Sequence, residues 1–322
     1  MEYPMKIAIL DDYANAALRL ADWSPYDVTV FNDTITDHGA LLERLTPFDI
    51  ICLMRERTPM PATLINALPN LKLLVTSGPK NASIDLNAAK AAGVTVCGTP
   101  SRKTTTSELA TLMMLALNRR LMPEVASLHG AAGWQTGLGR DLAGLTLGVI
   151  GLGNIGAQMA ALGRAFGMEV CAWSQNLTQA RADEVGVTRM ECLTDLMAAS
   201  DVTTVHLVLS ERSKGLLKAE AFAAAKAGQV FINTSRGPIV DNPALLAGLL
   251  KGHPNVAGLD VFDVEPLPAD DPLRATDLIA AGKLLLTPHL GYTTEATFTL
   301  FYRETVAAIA AWQADAPIRV LT

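Results

Sequence analysis

The run Leu147-Gly148-Val149-Ile150-Gly151-Leu152-Gly153-Asn154-Ile155-Gly156 constrains the fold more than any other stretch of this chain. It reads as an apolar strand, then Gly-x-Gly-x-x-Gly, then the start of a helix. In that context each glycine has a job. Gly151 permits a tight turn, Gly153 lets the backbone approach a pyrophosphate with no Cβ in the way, and Gly156 lets the helix pack close to the strand. The free amides and positive end of the following helix attract phosphate, so Asn154 and Ile155 join the three glycines as cofactor-binding candidates. Ile155, Met159, Leu162 and Phe166 recur at helical spacing and give that helix one apolar face. A glycine pattern alone also fits an unliganded tight turn; the strand–turn–helix context points to a bound dinucleotide.

The next strand, Glu169–Trp173, should end at the position that reads the ribose. An NAD-selective site places Asp or Glu there, 18–20 residues past the motif. This chain has Ser174-Gln175-Asn176. No carboxylate is present to bind both ribose hydroxyls and repel a 2′-phosphate, so Ser174 is the candidate ribose residue and the cofactor is NAD or NADP, with weak discrimination expected. Arg181 lies one or two turns on; it fits a phosphate contact and equally a solvated surface arginine.

Short β-branched runs alternate with Ala/Leu-rich helical stretches throughout, which predicts parallel sheets with helices on both faces. The first series has strand candidates at Lys6–Leu10, Asp27–Phe31, Asp49–Leu53, Lys72–Thr76 and Val94–Cys97. The second has Leu147–Ile150, Glu169–Trp173, Val202–His206, Val230–Asn233, Val256–Asp260 and Lys283–Leu286. The two series span about 100 and about 190 residues, in line with two domains at about 150 residues each. Between them a long helix is expected from near Thr105, where Thr105-Thr106-Ser107-Glu108 fits a capping box, to just before Pro123. A Gly-rich connector, Gly130 to Gly144, follows it. Asn154–Phe166 and Ala244–Lys251 are expected as helices, the latter capped by Asp241 or Asn242 and stopped by Gly252. A last helix is expected from about Glu295 to Trp312.

Composition excludes several roles. With 26 basic against 32 acidic residues the net charge is −6, so nothing supports nucleic-acid or membrane-surface binding. No apolar run approaches the length of a membrane span, and Met1–Leu10 passes straight into a strand with no signal-peptide core. The four cysteines, Cys52, Cys97, Cys171 and Cys192, form no CxxC pair. They read as reduced thiols of a cytoplasmic protein, with no metal site expected.

Three polar residues sit at the ends of late strand candidates, where open α/β sheets bind ligands. They are Arg236 in Asn233-Thr234-Ser235-Arg236-Gly237, Glu265 in Asp263-Val264-Glu265-Pro266, and His289 in Thr287-Pro288-His289-Leu290. Singly, each has a bland reading as surface or loop. Together they form a chemical set. Hydride transfer to a 2-keto acid needs a cation for the carboxylate and keto oxygen, an acid/base active near neutral pH, and a partner for that acid/base. Arg offers a planar fork that matches a carboxylate. His supplies the proton, and a neighbouring Glu stabilises the imidazolium.

Here the chain resembles the D-isomer-specific 2-hydroxyacid dehydrogenases, a family that includes glyoxylate/hydroxypyruvate reductases and phosphoglycerate dehydrogenases. The resemblance runs over essentially the whole chain and rests on Val149–Gly156, Asn233–Asp241, Gly258–Pro266 and Pro288–Gly291. It implies that Arg236 binds and polarises substrate, that His289 is the acid/base, that Glu265 is its partner, and that Asp260 holds the nicotinamide carboxamide. Glu265 favours a hydroxyacid substrate, because formate dehydrogenases of the same superfamily carry Gln there. Thr106 and Gly291 are further cofactor-binding candidates. The implied fold is two doubly wound parallel-sheet domains: a Rossmann dinucleotide-binding domain, residues 102–291, and a discontinuous flavodoxin-like substrate domain, residues 1–101 and 292–322. Domain closure, a homodimer and NAD as cofactor are also implied, and a chain ending at Thr322 leaves no room for an added regulatory domain. The rival reading is a non-catalytic dinucleotide-sensing or corepressor-like protein on the same fold.

The chain departs from the family at Ser77–Asp85. The family has a Gly-x-Gly loop there that offers backbone amides to the substrate carboxylate, but Pro79 has no N–H and Lys80 replaces a glycine. Lys80 and Asn81 are therefore substrate-binding candidates, together with Arg55, which follows the third strand; Lys80 pointing to solvent is the alternative. Arg57 follows the same strand. Val208 stands where the family commonly has Pro beside the cofactor.

Overall fold

The computed structural model describes residues 5–274 and 277–322. The chain divides into two compact units, Met1–Arg102 with Thr293–Thr322, and Lys103–Tyr292.

The first unit holds β1 (Lys6–Ile9), α1 (Ala17–Leu20), β2 (Asp27–Val30), α2 (His38–Leu45), β3 (Ile50–Leu53), α3 (Ala62–Ile65), β4 (Leu73–Thr76), α4 (Leu86–Ala91) and β5 (Thr95–Gly98). The strands are parallel in the order β2-β1-β3-β4-β5. Every residue of β3 and β4 is buried, whereas the edge strand β2 alternates between exposed and half-buried. That contrast follows from covering both faces of a parallel sheet: the central strands must be apolar throughout. Leu41, Leu45, Leu64, Ile65, Leu74 and Val96 lie in one core cluster of this unit.

The second unit continues with α5 (Thr105–Asn118), α6 (Leu121–His129), β6 (Thr146–Ile150), α7 (Asn154–Ala165), β7 (Glu169–Trp173), α8 (Gln179–Val185), β8 (Thr188–Arg189), α9 (Leu193–Ala199), β9 (Val202–Val205), α10 (Ala219–Ala223), β10 (Val230–Asn233), α11 (Asn242–Lys251), β11 (Val256–Leu259), α12 (Asp277–Ala280) and β12 (Leu284–Leu286). Its seven strands are parallel in the order β12-β11-β10-β9-β6-β7-β8. Chain direction across the sheet reverses between β6 and β9, and ligands of doubly wound sheets bind at such a switch point, outside the carboxyl ends of the strands. The chain then returns to the first unit as α13 (Glu295–Gln313), which packs on α1, β4 and β5. Beyond it, Val320 bridges Cys97 of β5 in antiparallel fashion.

Two local expectations are corrected. The long helix is capped at Thr104, in helical conformation and without a side-chain cap bond, so the box built on Thr105 does not form; Ser107 Oγ instead donates to the Thr104 carbonyl at 2.7 Å. The helix also ends before Pro123 is reached. Arg120 adopts a left-handed φ of 54°, and α6 restarts with Pro123 in its first turn, where a missing N–H leaves no intrahelical bond unmade. By contrast, α11 is capped by Asp241, whose side chain accepts from Ala244 N, and is closed by Gly252 at φ 82°. No helix among the described residues is long and apolar enough to cross a membrane.

Candidate active site

The glycine turn lies at the switch point of the second unit. Gly151 has φ 98°, and a Cβ there would stand 2.6 Å from the His206 carbonyl oxygen, so a side chain would be both strained and obstructed. A Cβ on Gly156 would lie 2.0 Å from the Gly151 carbonyl oxygen, which shows how closely α7 is drawn onto the turn. At Gly153 a Cβ would meet nothing within 4 Å. The first backbone bond of α7 runs from Ala157 N to Gly153 O, so the amides of Asn154, Ile155 and Gly156 have no acceptor within the helix. Two buried polar atoms, His206 Nδ1 and Thr234 Oγ1, have no hydrogen-bond partner among the described residues. They follow β9 and β10, adjacent strands of the same sheet. An open space over Gly153, helix amides aimed outward and orphaned polar atoms at the strand ends together fit a dinucleotide with its pyrophosphate on the turn. Ser174, half-buried, directly follows β7.

Three neighbouring strands carry the candidate catalytic groups from their carboxyl ends: β10 leads to Arg236, β11 to Glu265 and β12 to His289. Buried Asn233 shapes the first loop, its Nδ2 donating to the Arg236 carbonyl at 3.0 Å and its Oδ1 accepting from Ser235 N at 3.0 Å. Arg236 Nη1 donates to the Ser235 carbonyl at 2.8 Å. Gly237 then lets this loop touch the next one: a Cβ there would lie 2.1 Å from the carbonyl carbon of Phe262. The Phe262 amide in turn donates to Glu265 Oε1 at 2.8 Å. The other oxygen of Glu265, Oε2, lies 2.6 Å from His289 Nδ1.

His289 has φ 54°, a left-handed conformation uncommon for a residue with a side chain and found where a fold holds a group in a required orientation. Asp260 holds it there. Its Oδ1 accepts from Thr287 Oγ1 and from Leu290 N, each at 2.6 Å, and its Oδ2 accepts from Gly291 N at 2.9 Å. Burial pushes the Asp260 carboxyl above the usual carboxylate range, against the pull of those donors. Asp260 therefore clamps the turn that presents the histidine; as a cofactor ligand it has one lone-pair site left of about four. Thr106 Oγ1 donates to the Gly291 carbonyl at 3.2 Å. The Tyr292 ring stands edge-on to His289, with centroids 5.2 Å apart. Asn233 and Tyr292 escaped the sequence reading. A buried amide at a strand end was a usable signal for Asn233, whereas nothing in the sequence pointed to Tyr292.

In the first unit, Arg55 follows β3 at φ 55°. Its backbone N donates to Ser77 Oγ at 2.8 Å and its carbonyl accepts from Asn81 Nδ2 at 2.6 Å. Its Nη1 donates to the Ser77 carbonyl at 3.2 Å. The guanidinium occupies the space that a side chain on Gly78 would need, since a Cβ there would sit 1.8 Å from Nη1. Asn81 is buried, and its side chain also donates to Thr76 Oγ1 and accepts from Ser83 N and Ser83 Oγ. Its amide is thus committed to loop geometry. The amides of Ser77 and Gly78 are committed too, to Leu53 O and Thr99 Oγ1. Lys80 is exposed.

Residues 111–291 match the family described as D-isomer specific 2-hydroxyacid dehydrogenase, NAD binding domain. The chain is 36% identical to D-3-phosphoglycerate dehydrogenase of Bacillus subtilis over 79% of its own length and 47% of that protein's. It thus spans about half the length of that relative. It is 33% identical to hydroxypyruvate reductase of Thermotoga maritima, over 79% of this chain and 81% of that one. The crystal structure of a phosphoglycerate oxidoreductase from Vibrio cholerae superposes with a TM-score of 0.90 at 35% identity, covering 97% of this chain and 100% of that one.

Proposed function

The chain belongs to the D-isomer-specific 2-hydroxyacid dehydrogenase family, and on that footing we propose that it catalyses reversible reduction of a small 2-keto acid to the D-2-hydroxy acid. The nicotinamide dinucleotide, when bound, supplies or accepts the hydride at C2. The NAD-binding character of the matched domain makes NAD the reference cofactor. Gly151, Gly153 and Gly156 with the amides of Asn154 and Ile155 hold its pyrophosphate, Ser174 meets the ribose, and Thr106, Asp260 and Gly291 frame the nicotinamide end.

Arg236 binds the substrate carboxylate and draws charge from the keto oxygen as it becomes an alkoxide. His289 donates the proton to that oxygen in reduction and removes it in oxidation. The observation that carries this reading is the 2.6 Å contact between His289 Nδ1 and Glu265 Oε2. It assigns the Nδ1 proton to the carboxylate and leaves Nε2 to face the substrate. In the first unit, Arg55 is the better fit to an anionic substrate group than Lys80, because its backbone and guanidinium are both held. Asn81 serves by holding Arg55.

The reading includes a homodimer and a cytoplasmic location. Helix α6 has no buried residue, and Leu121, Met122, Val125 and Leu128 on it are exposed, as are Trp134 and Leu138 beyond it. An apolar surface of that kind fits pairing with a second copy, which light scattering on the purified chain tests. All four cysteines are unpaired, which suits a reducing compartment.

The test of function is a panel of glyoxylate, hydroxypyruvate, pyruvate and 3-phosphohydroxypyruvate, each supplied with NADH and with NADPH. Turnover of at least one supports the proposal. Dinucleotide binding with no turnover across the panel favours the sensor reading instead.

A further inference from the structure

Where β7 ends, the chain turns through Ser174-Gln175-Asn176, closed by a bond from Leu177 N to the Ser174 carbonyl at 3.0 Å. The ribose of a dinucleotide seated on the neighbouring glycine turn falls at this corner, and residues 174–178 carry no carboxylate. Two guanidiniums are tied to it. The turn after β9 is built around buried Ser213, whose Oγ accepts from Ser210 N and donates to the Val208 carbonyl, each at 2.8 Å. Gln175 Nε2 binds this turn to the corner by donating to the Arg212 carbonyl at 3.0 Å. Arg212 Nη1 in turn reaches Asn176 Oδ1 at 3.4 Å. From α8, Arg181 Nε reaches the carbonyl of Leu152, inside the glycine turn itself, also at 3.4 Å, while its Nη1 pairs with Glu184 at 2.7 Å.

We propose that this corner is a 2′-phosphate site, so that the protein takes NADP(H) as well as NAD(H), with Arg212 as the residue that grips the phosphate and Arg181 as the second cation. The proposal rests on the dinucleotide reading above. A phosphate monoester carries about −1.5 to −2 charges at neutral pH. An aspartate or glutamate at residue 174 would repel it, whereas the Ser174 hydroxyl donates to it. The arginine fork matches phosphate geometry. The Arg212–Asn176 contact is at the long end of hydrogen bonding and its side chain is exposed, so little is lost when the guanidinium turns to the phosphate. The Arg181–Glu184 pair is a surface pair of low strength and yields as readily.

Calorimetric titration of the purified chain with NAD+ and NADP+, without substrate, tests the proposal independently of turnover. Wild type is expected to bind the two within about tenfold of each other. Arg212→Ala is expected to weaken NADP+ by about ten- to hundredfold, the size of a lost charge-assisted bond, with NAD+ nearly unchanged; Arg181→Ala acts in the same direction and less. Ser174→Asp is expected to abolish NADP+ binding and keep NAD+ binding. Tight NAD+ binding with NADP+ weaker by more than about a thousandfold overturns the proposal and leaves the dinucleotide reading standing. Equal losses for both cofactors in Arg212→Ala also overturn it. Failure of wild type to bind either cofactor removes the dinucleotide reading and the proposal with it.

Discussion

Glu265 Oε2 and His289 Nδ1 lie 2.6 Å apart, with both side chains more than four-fifths buried. A carboxylate at that distance favours the protonated ring. Glu265→Gln removes the charge and keeps the size, so the ring releases its proton at lower pH. Reduction needs the protonated ring and is expected to fail at lower pH than in wild type. Oxidation needs the neutral ring and is expected to persist to lower pH. The check is the pH profile of kcat/KM in both directions; a reductive limb that stays in place or moves to higher pH removes Glu265 as the charge partner.

Asp260 acts on the same histidine through the backbone. Its two oxygens accept from three donors. An asparagine keeps one oxygen and presents an NH2 to the remaining donor, so at least one buried bond is lost, at a cost of about 1–3 kcal/mol. Asp260→Asn is expected to lower Tm and to lower kcat more than it raises substrate KM. Full kcat in Asp260→Asn would show that the turn needs no such clamp.

Arg55 and Lys80 are separable. Arg55→Ala is expected to raise KM for the keto acid by about ten- to hundredfold, one charge-assisted bond, with dinucleotide Kd unchanged. Lys80→Ala is expected to do much less, because Lys80 is exposed. A large KM effect at Lys80 and none at Arg55 would reverse the assignment.

His206 offers a test of the cofactor end in the absence of cofactor. Its Nε2 shares a hydrogen with Thr204 Oγ1 at 2.9 Å while its Nδ1 is buried and orphaned, and burial holds its pKa down to about 3. In the unfolded chain an imidazole titrates near 6.5. Between these values only the unfolded chain binds the proton, so acid favours unfolding and this contribution falls as pH drops below about 6.5. At pH 5 it amounts to about 2 kcal/mol. Urea unfolding of wild type and His206→Gln at neutral pH and at pH 5 is expected to show wild type losing about that much more. Equal losses would mean that the ring is solvated.

The sequence made the catalytic set legible because Arg236, Glu265 and His289 each follow an apolar run that can only be a buried parallel strand, and strand ends are where such sheets keep their chemistry. The glycine turn was legible for a similar reason, since its three glycines answer to contacts of the turn, the space over it and the helix. Arg55 was harder to place. Its position depends on a left-handed φ and on the empty side of Gly78 twenty-three residues on, neither of which has a local signature. Asn81 looked like a ligand because polar residues in loops usually are free; here the loop itself needs all of its hydrogen bonds. The α5 start was misplaced by one residue because four hydroxyl residues in a row, Thr104 to Ser107, offer equivalent caps. The two-residue strand β8 has too little pattern to read.

The central claim is that His289 moves the proton that accompanies hydride transfer. Its most direct test is kcat/KM for the best keto acid of the panel in wild type and in His289→Ala, with dinucleotide Kd measured on both. The account predicts a loss of roughly 10²–10⁴-fold in kcat/KM with Kd unchanged; a His289→Ala protein as active as wild type contradicts it.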